Sequence, residues 1–512
     1  MMPVEMKRVA FGEYAPDLPP IANQGLALAK NTVTTATGYD GIQGLSNVSE
    51  FSVLSERPRG GISAIDTRGN PYNFAGTEGK LYRHFESTTD VTRSSGVAYN
   101  CSSSSRWSFA LFGDIVIAVN LNDDSQYYTL GTSDKFEPLN ASDAPRARHV
   151  GVVGSFLMLG NTFDSINGGA ENAIHWSAVA DPFNWPATGS STAVAVQSDR
   201  QVLEGDGGAV QAVATGSEVG AIFQERCIWR ADYRGGDVVF QLTRVEPQRG
   251  LLIAGLAVPF GRQVFYCSED GFYLFDYTSS KPIGREKINK TFFNDLDSAY
   301  MDRVTAVPDP DNERIWISYP GSGNTGGTPN KLLIYDWGLD RWSHGDMALE
   351  MLVNSTPAAV TLDTPAPGDG TDPDAVDGTD GSGVTLPSFD ARLANPGSTQ
   401  IGAYDSSFRL STFTGTDLDA VLETGRQEFA PGGRALVTMA RPLVDSMDPT
   451  IEISGVSKTN ANDAFGLASK TDIAGDVPLR KDGRYHRFRV NIPGGFKNAI
   501  GLDVAYQRSS RR

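Results

Sequence analysis

The acidic side chains are the first candidates for chemistry in this sequence. Glu269 and Asp270 are adjacent carboxylates, the residue type that serves as general acid and general base. Asp372, Asp374 and Asp377 follow one another closely, and carboxylates spaced in this way can converge on one calcium ion. The Gly and the distal Glu of a twelve-residue calcium loop do not follow them, so a solvated loop is the alternative interpretation.

Other catalytic patterns are absent from the sequence. The five histidines are scattered one to a region, without the spacing of a metal site: His84, His149, His175, His344 and His486. There is no Gly-x-Ser-x-Gly elbow and no glycine-rich loop ending in Lys-Ser or Lys-Thr. Asp270 and Gly271 are adjacent, whereas the Asp-box of sialidase-like propellers separates its Asp from its Gly. We therefore expect no catalytic residue, no metal and no cofactor, and a protein that is not an enzyme.

The bulk composition restricts the class of protein further. The chain has 512 residues, 61 acidic and 44 basic side chains, and a formal charge of -17. This balance argues against tight binding of nucleic acid, which needs Lys and Arg to displace counterions, yet repulsion would help DNA slide through a conduit. Charges within Met1–Ala10 and the lack of a long apolar run predict neither a signal peptide nor a membrane span. The three cysteines, Cys101, Cys227 and Cys267, are predicted to be buried or free thiols.

The two carboxylates at 269 and 270 lie within a strand pattern. In Val264–Asp276, two runs rich in aromatic and β-branched residues flank an Asp-Gly turn, which predicts an antiparallel hairpin. Similar units recur at intervals of roughly 40 to 65 residues, the range of four-stranded propeller blades lengthened by loops. We predict an all-β fold, with a β-propeller of six or seven blades over residues 56–420.

The regions flanking the propeller differ in composition. Residues 1–55 are predicted to form an extended N-terminal anchoring arm, which lies along other domains or along a neighbouring subunit, because prolines disfavour a helix there. Its proposed interface residues are Tyr14, Pro16, Asp17 and Leu18. Residues 355–400, rich in Asp, Gly and Pro, are predicted to be a flexible insertion. Residues 421–512 alternate as strands do and predict a C-terminal antiparallel β domain.

One basic cluster stands out in the C-terminal region. It contains Arg480, Lys481, Arg484, Arg487 and Arg489, and the last two share one face of a predicted strand. A solvated strand face is one interpretation, and ionic contact with an acidic neighbouring protein or with DNA is the other. Arg484, Arg487 and Arg489 complete the proposed interface.

Several segments together resemble one family of virion proteins. They are Phe11–Pro19 with Ala29–Asn31, Phe223–Arg226, Phe260–Tyr266, Ser268–Tyr273, and Leu333–Trp337 with Asp340–Trp342. In order and character they are similar to the packaged-DNA stabilisation or tail nozzle proteins of short-tailed bacteriophages. The resemblance implies a propeller subunit without catalytic residues, six copies in a ring beneath a portal adaptor ring, and a central channel for genome ejection. It also implies contacts with a tail plug, needle or fibres and with passing double-stranded DNA, in a virion tail protein made in the host bacterial cytoplasm.

Other functions remain open on the sequence alone. A carbohydrate-binding or carbohydrate-cleaving propeller, or a host-surface-binding propeller of the tail, is the main alternative. An intracellular propeller scaffold that binds host proteins is another, and adhesion at the tail tip through the Asp-rich loop is a third.

Overall fold

The computed structural model describes residues 3–140, 143–216, 219–236, 238–356, 400–459 and 463–510. Nearly all of the regular structure in these residues is β, as the sequence predicts. The chain begins with five short strands, β1 (Glu5–Ala10), β2 (Leu26–Lys30), β3 (Thr32–Thr34), β4 (Tyr39–Gly41) and β5 (Ser46–Asn47).

Five four-stranded antiparallel sheets follow in sequence order. Blade one is β6 (Gly60–Ile65), β7 (Pro71–Gly76), β8 (Leu81–His84) and β9 (Thr88–Asp90). Blade two is β10 (Ser108–Phe112), β11 (Ile115–Val119), β12 (Gln126–Thr129) and β13 (Glu137–Pro138). Blade three is β14 (Arg146–Val153), β15 (Phe156–Asp164), β16 (Gly168–Trp176) and β17 (Asp199–Val202), with helix α1 (Ser191–Val196) before β17. Blade four is β18 (Val210–Ala214), β19 (Val219–Gln224), β20 (Ile228–Tyr233) and β21 (Phe240–Glu246). Blade five is β22 (Val258–Phe260), β23 (Gln263–Ser268), β24 (Gly271–Phe275) and β25 (Ser280–Pro282).

Two further blades close the ring. Helix α2 (Asn289–Asp295) leads to blade six, which is β26 (Thr305–Asp309), β27 (Arg314–Tyr319), β28 (Lys331–Asp336) and β29 (Arg341–Asp346). Two short 3-10 helices, Ala254–Leu256 and Ser298–Arg303, precede blades five and six. Blade seven contains β30 (Met351–Ser355), β31 (Gln400–Tyr404) and β32 (Leu410–Thr412), and its fourth strand is β5 from the N-terminal segment. Since β30 also packs against β6, the first and last blades are neighbours in a seven-bladed propeller.

The remaining strands form two sheets beside blade six. They are β33 (Ala420–Thr424), β34 (Gln427–Glu428), β35 (Arg434–Val444), β36 (Thr450–Val456), β37 (Ser469–Lys470), β38 (Val477–Gly483), β39 (Tyr485–Ile492) and β40 (Ala499–Ser510). One sheet has the order β3-β4-β40-β35-β38, with β1 paired to β40. The other runs β2-β33-β39-β36-β37 and is continuous with blade six, because β2 pairs with β29. Strands of the N-terminal segment therefore pair within this chain, with blade six, blade seven and the C-terminal sheets.

Packing between blades follows the two-residue alternation of the strands. In the hairpin of β23 and β24, Phe265 packs towards Tyr335 of blade six, while Tyr266 packs towards Phe223 of blade four. All four of these phenylalanine and tyrosine side chains are buried, and burying one large apolar side chain stabilises the fold by about 1.5 to 3 kcal/mol. The core around Phe265 continues into the C-terminal sheets through side chains such as Phe488. The propeller and the C-terminal sheets thus share one hydrophobic core.

Candidate docking site

The arm residues proposed as an interface lie against the connection between blades five and six. Tyr14 is buried in the shared core, with 3% of its surface exposed. The carboxylate of Asp17 accepts hydrogen bonds of 2.8 Å from the backbone N–H groups of Lys290 and Thr291, and one of 2.8 Å from the Thr291 hydroxyl. These N–H groups belong to the first turn of α2, where no helical acceptor is present. Asp17 therefore fastens the arm to the propeller.

Of the four proposed arm residues, Tyr14 is inaccessible to a partner, while Pro16, Asp17 and Leu18 are partly buried. The carbonyl of Ala15 accepts a hydrogen bond from the side chain of Asn23, which is itself buried. The local turn is thus held by its own contacts, and Pro16 and Leu18 are its accessible parts.

The two arginines that share a face of β39 are paired with carboxylates of neighbouring strands. Arg489 donates to Glu423 on β33 at 3.1 Å and to Glu452 on β36 at 3.2 Å. Arg487 also binds Glu423, and its Nη1 lies 3.3 Å from an oxygen of Asp463. Two guanidinium groups thus meet three carboxylates, so this face carries no excess of positive charge.

The burial of Arg487 and a ring contact of Arg489 also indicate that both side chains are engaged within the chain. Burial, with a smaller contribution from Arg489, lowers the pKa of Arg487. The guanidinium carbon of Arg489 lies 4.1 Å from the centre of the Phe465 ring, within the range of a cation–π contact. The sequence grouped these arginines correctly on one face. Their acidic partners lie on strands distant in sequence, so the pattern of β39 alone gave no signal for them.

Arg484 is separate from that cluster. Its backbone N–H donates to the carbonyl of Val456 at 2.9 Å, and its guanidinium reaches the carbonyl of Gly432 at 3.4 Å. The arm and the arginine cluster are connected through Arg426. Its backbone N–H donates to Pro20 at 2.8 Å, and its side chain shares Asp463 with the cluster. The arm and the C-terminal sheets therefore lie together beside blade six, and this region is hereafter the candidate docking site.

The propeller axis contains charged side chains that the sequence did not single out. Arg106 precedes β10 of blade two, and its Nη1 donates to the carbonyls of Val304 at 2.6 Å and Asp302 at 3.4 Å, just before β26 of blade six. Blades two and six are nearly opposite in a ring of seven, so this side chain crosses the axis. Burial lowers the pKa of Arg106 to about 10. Arg57 is close by, 3.7 Å from the Asp302 carboxylate. Side chains thus occupy the axis at this end.

The adjacent carboxylates at 269 and 270 occupy a hairpin turn. Ser268 and Gly271 pair across it, and Gly271 has a φ of +140°, which favours glycine. Asp270 accepts a hydrogen bond of 2.6 Å from the Tyr273 hydroxyl and lies 3.3 Å from Nε of Arg249. The predicted hairpin is confirmed, and Asp270 contacts Tyr273 of the same hairpin and Arg249 of the connection from blade four.

The remaining candidates for chemistry do not assemble into a site in the described residues. Burial lowers the pKa of each histidine, to about 3 for His149 and about 4 for His84, His175, His344 and His486. No three His, Cys, Asp or Glu side chains meet as metal ligands within the described ranges. All three cysteines are buried, as predicted. The Asp372, Asp374 and Asp377 group lies outside the described residues. No helix among those described is long and apolar enough to cross a membrane.

Comparison with known proteins finds only distant structural likeness. No protein-family model matches the chain, and no curated protein matches it. Among solved structures, one titled "Crystal Structure of Mitotic Checkpoint Complex" is similar over 74% of this chain and 94% of its own, at 9% identity and a TM-score of 0.39. The structure of the Neurospora crassa Pan2 WD40 domain is similar over 73% of this chain and 98% of its own, at 7% identity and a TM-score of 0.39. Such distant likeness carries no argument about function, and the propeller assignment follows from the seven sheets themselves.

Proposed function

We propose that this chain is a structural subunit of a bacteriophage tail nozzle. Six copies form a ring below the portal adaptor, retain packaged DNA and serve as the conduit for its ejection, in a virion assembled in the host bacterial cytoplasm. The resemblance of the sequence segments to nozzle proteins is the origin of this proposal. The observation that carries it further is the continuous sheet joining blade six to the C-terminal strands through β2.

That sheet and the shared core join the propeller to the C-terminal strands. Strand β2 pairs with β29 at Lys30 and His344 on one side and with β33 along most of its length on the other, so it connects the propeller to the C-terminal strands. The shared core adds Phe265 of blade five and Phe488 of β39 to one hydrophobic cluster. A hinge between the two parts would have to break both. In the proposed ring, a contact made at the candidate docking site is therefore transmitted directly to the propeller.

The side chains at the propeller axis decide whether DNA can pass through a single propeller. Arg106 crosses the propeller axis and donates to Val304 on the far side. A double helix therefore cannot use this axis, and the conduit of the proposed nozzle lies between subunits, where the symmetry axis of the ring runs. The net charge of -17 suits such a conduit, because an acidic wall does not retain passing phosphates. Catalysis has no part in this function, and release of DNA is a conformational or plug-release event.

Electron microscopy of the purified chain, and of virions that contain it, tests the proposal. We expect six-fold rings with an axial channel between subunits, and propellers whose own axes are closed. A chain that is monomeric within virions would overturn the proposal. A strongly positive potential on the wall of the channel would refute the acidic conduit.

A further inference from the structure

The sheet that contains β1, β40, β35 and β38 has one face in the shared core and one face turned away from it. Val9, Ala440 and Val504 lie on the core face. Residues directly opposite one another on paired strands project from the same face, so the strand register arranges the alternate residues in rows across the sheet. On the second face, hereafter the outer face, Met6 is 58% exposed, so this surface is open to a partner.

The middle row of the outer face consists of charged side chains of alternating sign. Arg8 on β1 lies opposite Asp503 on β40, and Asp503 lies opposite Arg441 on β35. Asp476, the residue before β38, completes the row beside Arg441. Two nitrogens of Arg8 donate to Asp503 at 2.8 and 3.0 Å, and two of Arg441 donate to Asp476 at 2.8 and 3.1 Å. The two ion pairs hold this order, and the row reads plus, minus, plus, minus.

The rows on either side of the charged row are apolar. They contain Met6, Ala505, Met439 and Pro478 on one side and Ala10, Gly501 and Leu443 on the other. The small residues of the central strand β40 are buried by their neighbours, while Met6, Ala10 and Pro478 are exposed. A sheet face in contact with water normally carries polar side chains, so two apolar rows indicate a surface that contacts another protein.

The order of the charges indicates which protein fits this surface. If two copies of the chain stack their outer faces about a twofold axis parallel to the strands, the strand order of one copy is reversed against the other. Arg8 of each copy then faces Asp476 of the other, and Asp503 faces Arg441. The apolar row meets itself in the same way, with Met6 over Pro478. A twofold axis across the strands would instead place Arg8 against Arg8, so the charge pattern selects the first arrangement.

We propose that the outer face binds a second copy of this chain, in a symmetric dimer with the two sheets face to face and their strands aligned. Neighbouring strands lie about 4.8 Å apart and alternate residues of a strand about 6.8 Å apart. Three rows on four strands therefore cover on the order of 400 Å². A standard interface buries about 800 Å² on each partner, so we expect a weak dimer with a dissociation constant of about 10 to 100 µM.

The dimer goes beyond the proposed nozzle and does not depend on it. A twofold contact uses the same surface on both copies and closes on itself, whereas a six-fold ring is built from head-to-tail contacts. The ring therefore uses other surfaces, and the dimer belongs to the free chain before assembly. A failure of either proposal leaves the other unaffected.

Sedimentation equilibrium of the purified full chain tests the dimer. The protein is studied from about 1 to 200 µM, a range that spans the expected dissociation constant. We expect a reversible equilibrium between monomer and dimer. A chain that stays monomeric over this range, or that forms only rings of six, would overturn the proposal.

Exchanging the charges of one ion pair tests the arrangement of the two copies. Arg8→Asp combined with Asp503→Arg keeps an ion pair within the chain, but it sets like charges against Asp476 and Arg441 of the second copy. We expect the dissociation constant to rise at least tenfold. Adding Arg441→Asp and Asp476→Arg restores the alternation across the contact, so the dissociation constant should return to within about threefold of wild type.

The pairs are exposed at the surface, with Arg8 and Arg441 side chains 64% and 50% exposed, so all these variants should fold with a urea midpoint close to wild type. An unchanged dimer in the first variant refutes the arrangement. Failure of the fourfold variant to recover, with a normal urea midpoint, refutes it as well.

A single apolar substitution locates the contact without altering the charged row. Met6→Glu places a carboxylate in the apolar row, and Ile166→Glu is the matched control, because Ile166 is also exposed but lies in the β15–β16 hairpin of blade three. We expect Met6→Glu to weaken the dimer at least tenfold and Ile166→Glu to leave it unchanged. A dimer that resists Met6→Glu, or that is weakened equally by both, lies on another surface and contradicts the proposal.

Discussion

Acidification should destabilise this protein well before its carboxylates titrate, because four of its five histidines are buried, His344 is largely buried, and burial favours the neutral ring in all five. Their pKa values fall from 6.5 to about 4, or about 3 for His149, and desolvation is the main cause in each case. Between pH 4 and 6.5 the unfolded chain therefore binds more protons than the folded chain. Stability is fully present above pH 6.5 and is lost as the pH falls through this window.

The magnitude follows from proton linkage. For one histidine with a pKa of about 4 folded and about 6.5 unfolded, going from pH 7 to pH 5.5 removes about 1.2 kcal/mol from the free energy of unfolding. The chain has five histidines, so the total loss is about 6 kcal/mol. Typical stabilities are about 5 to 15 kcal/mol, so this loss is a large share. Asp and Glu contribute little there, because their ordinary pKa values lie near 4.

Urea unfolding followed by tryptophan fluorescence at pH 7, 6.5, 6 and 5.5 measures this loss. We expect the midpoint to fall steadily, and to be nearly constant between pH 7 and 8. His149→Gln removes one titrating group, so the loss between pH 7 and 5.5 should shrink by about a fifth relative to wild type. An equal midpoint at pH 7 and pH 5.5 would refute the assignment of neutral, desolvated imidazoles.

Two substitutions test the turn and the arginine cluster. Gly271→Ala places a Cβ 1.8 Å from Nδ2 of Asn289 at a φ of +140°, and should lower the free energy of unfolding in urea by about 2 to 4 kcal/mol. Its control is Gly69→Ala, at a φ of +88° with open space around it, which should lower that free energy by only about 1 kcal/mol. Equal losses in the two variants would exclude the steric contact. Glu423→Ala removes the carboxylate shared by the partly buried guanidinium groups of Arg487 and Arg489, which keep Asp463 and Glu452, and should cost about 1.5 to 3 kcal/mol. Lys80→Ala, at a solvent-exposed ion pair with Asp90, should cost under about 1 kcal/mol. A loss at 423 no larger than at 80 would show that the cluster is solvated.

Local patterns predicted the blades because each hairpin is encoded by adjacent residues. The pairing of Val264 with Phe275 follows from two apolar runs and an Asp-Gly turn, and the sequence contains all of that information. The sequence left the number of blades at six or seven. Blade seven is hard to recognise because its outer strand, Ser46–Asn47, has two residues and no periodicity, and lies more than 300 residues from its partner β32.

Long-range pairing also explains why the sequence could not predict the contacts of the candidate docking site. Arg487 and Arg489 fell on one strand face as predicted, since alternation is a local property. Their partner Glu423 is 64 residues from Arg487, and nothing in the spacing of either strand specifies that meeting. Asp17 likewise caps a helix more than 270 residues away. Tertiary packing sets these contacts, and no periodic signal accompanies them. The predicted domain limits at residues 55 and 420 stay predictions.

The shared seventh blade also has a consequence for biosynthesis. Strand β5 leaves the ribosome more than 300 residues before its partner β32. Until then the ring is open, and the flanks of blades one and six expose the surfaces that blade seven later covers. The closing contact therefore comes late and spans nearly the whole propeller, an arrangement that slows folding and lengthens exposure to aggregation. Chaperone demand during synthesis should be concentrated in this interval.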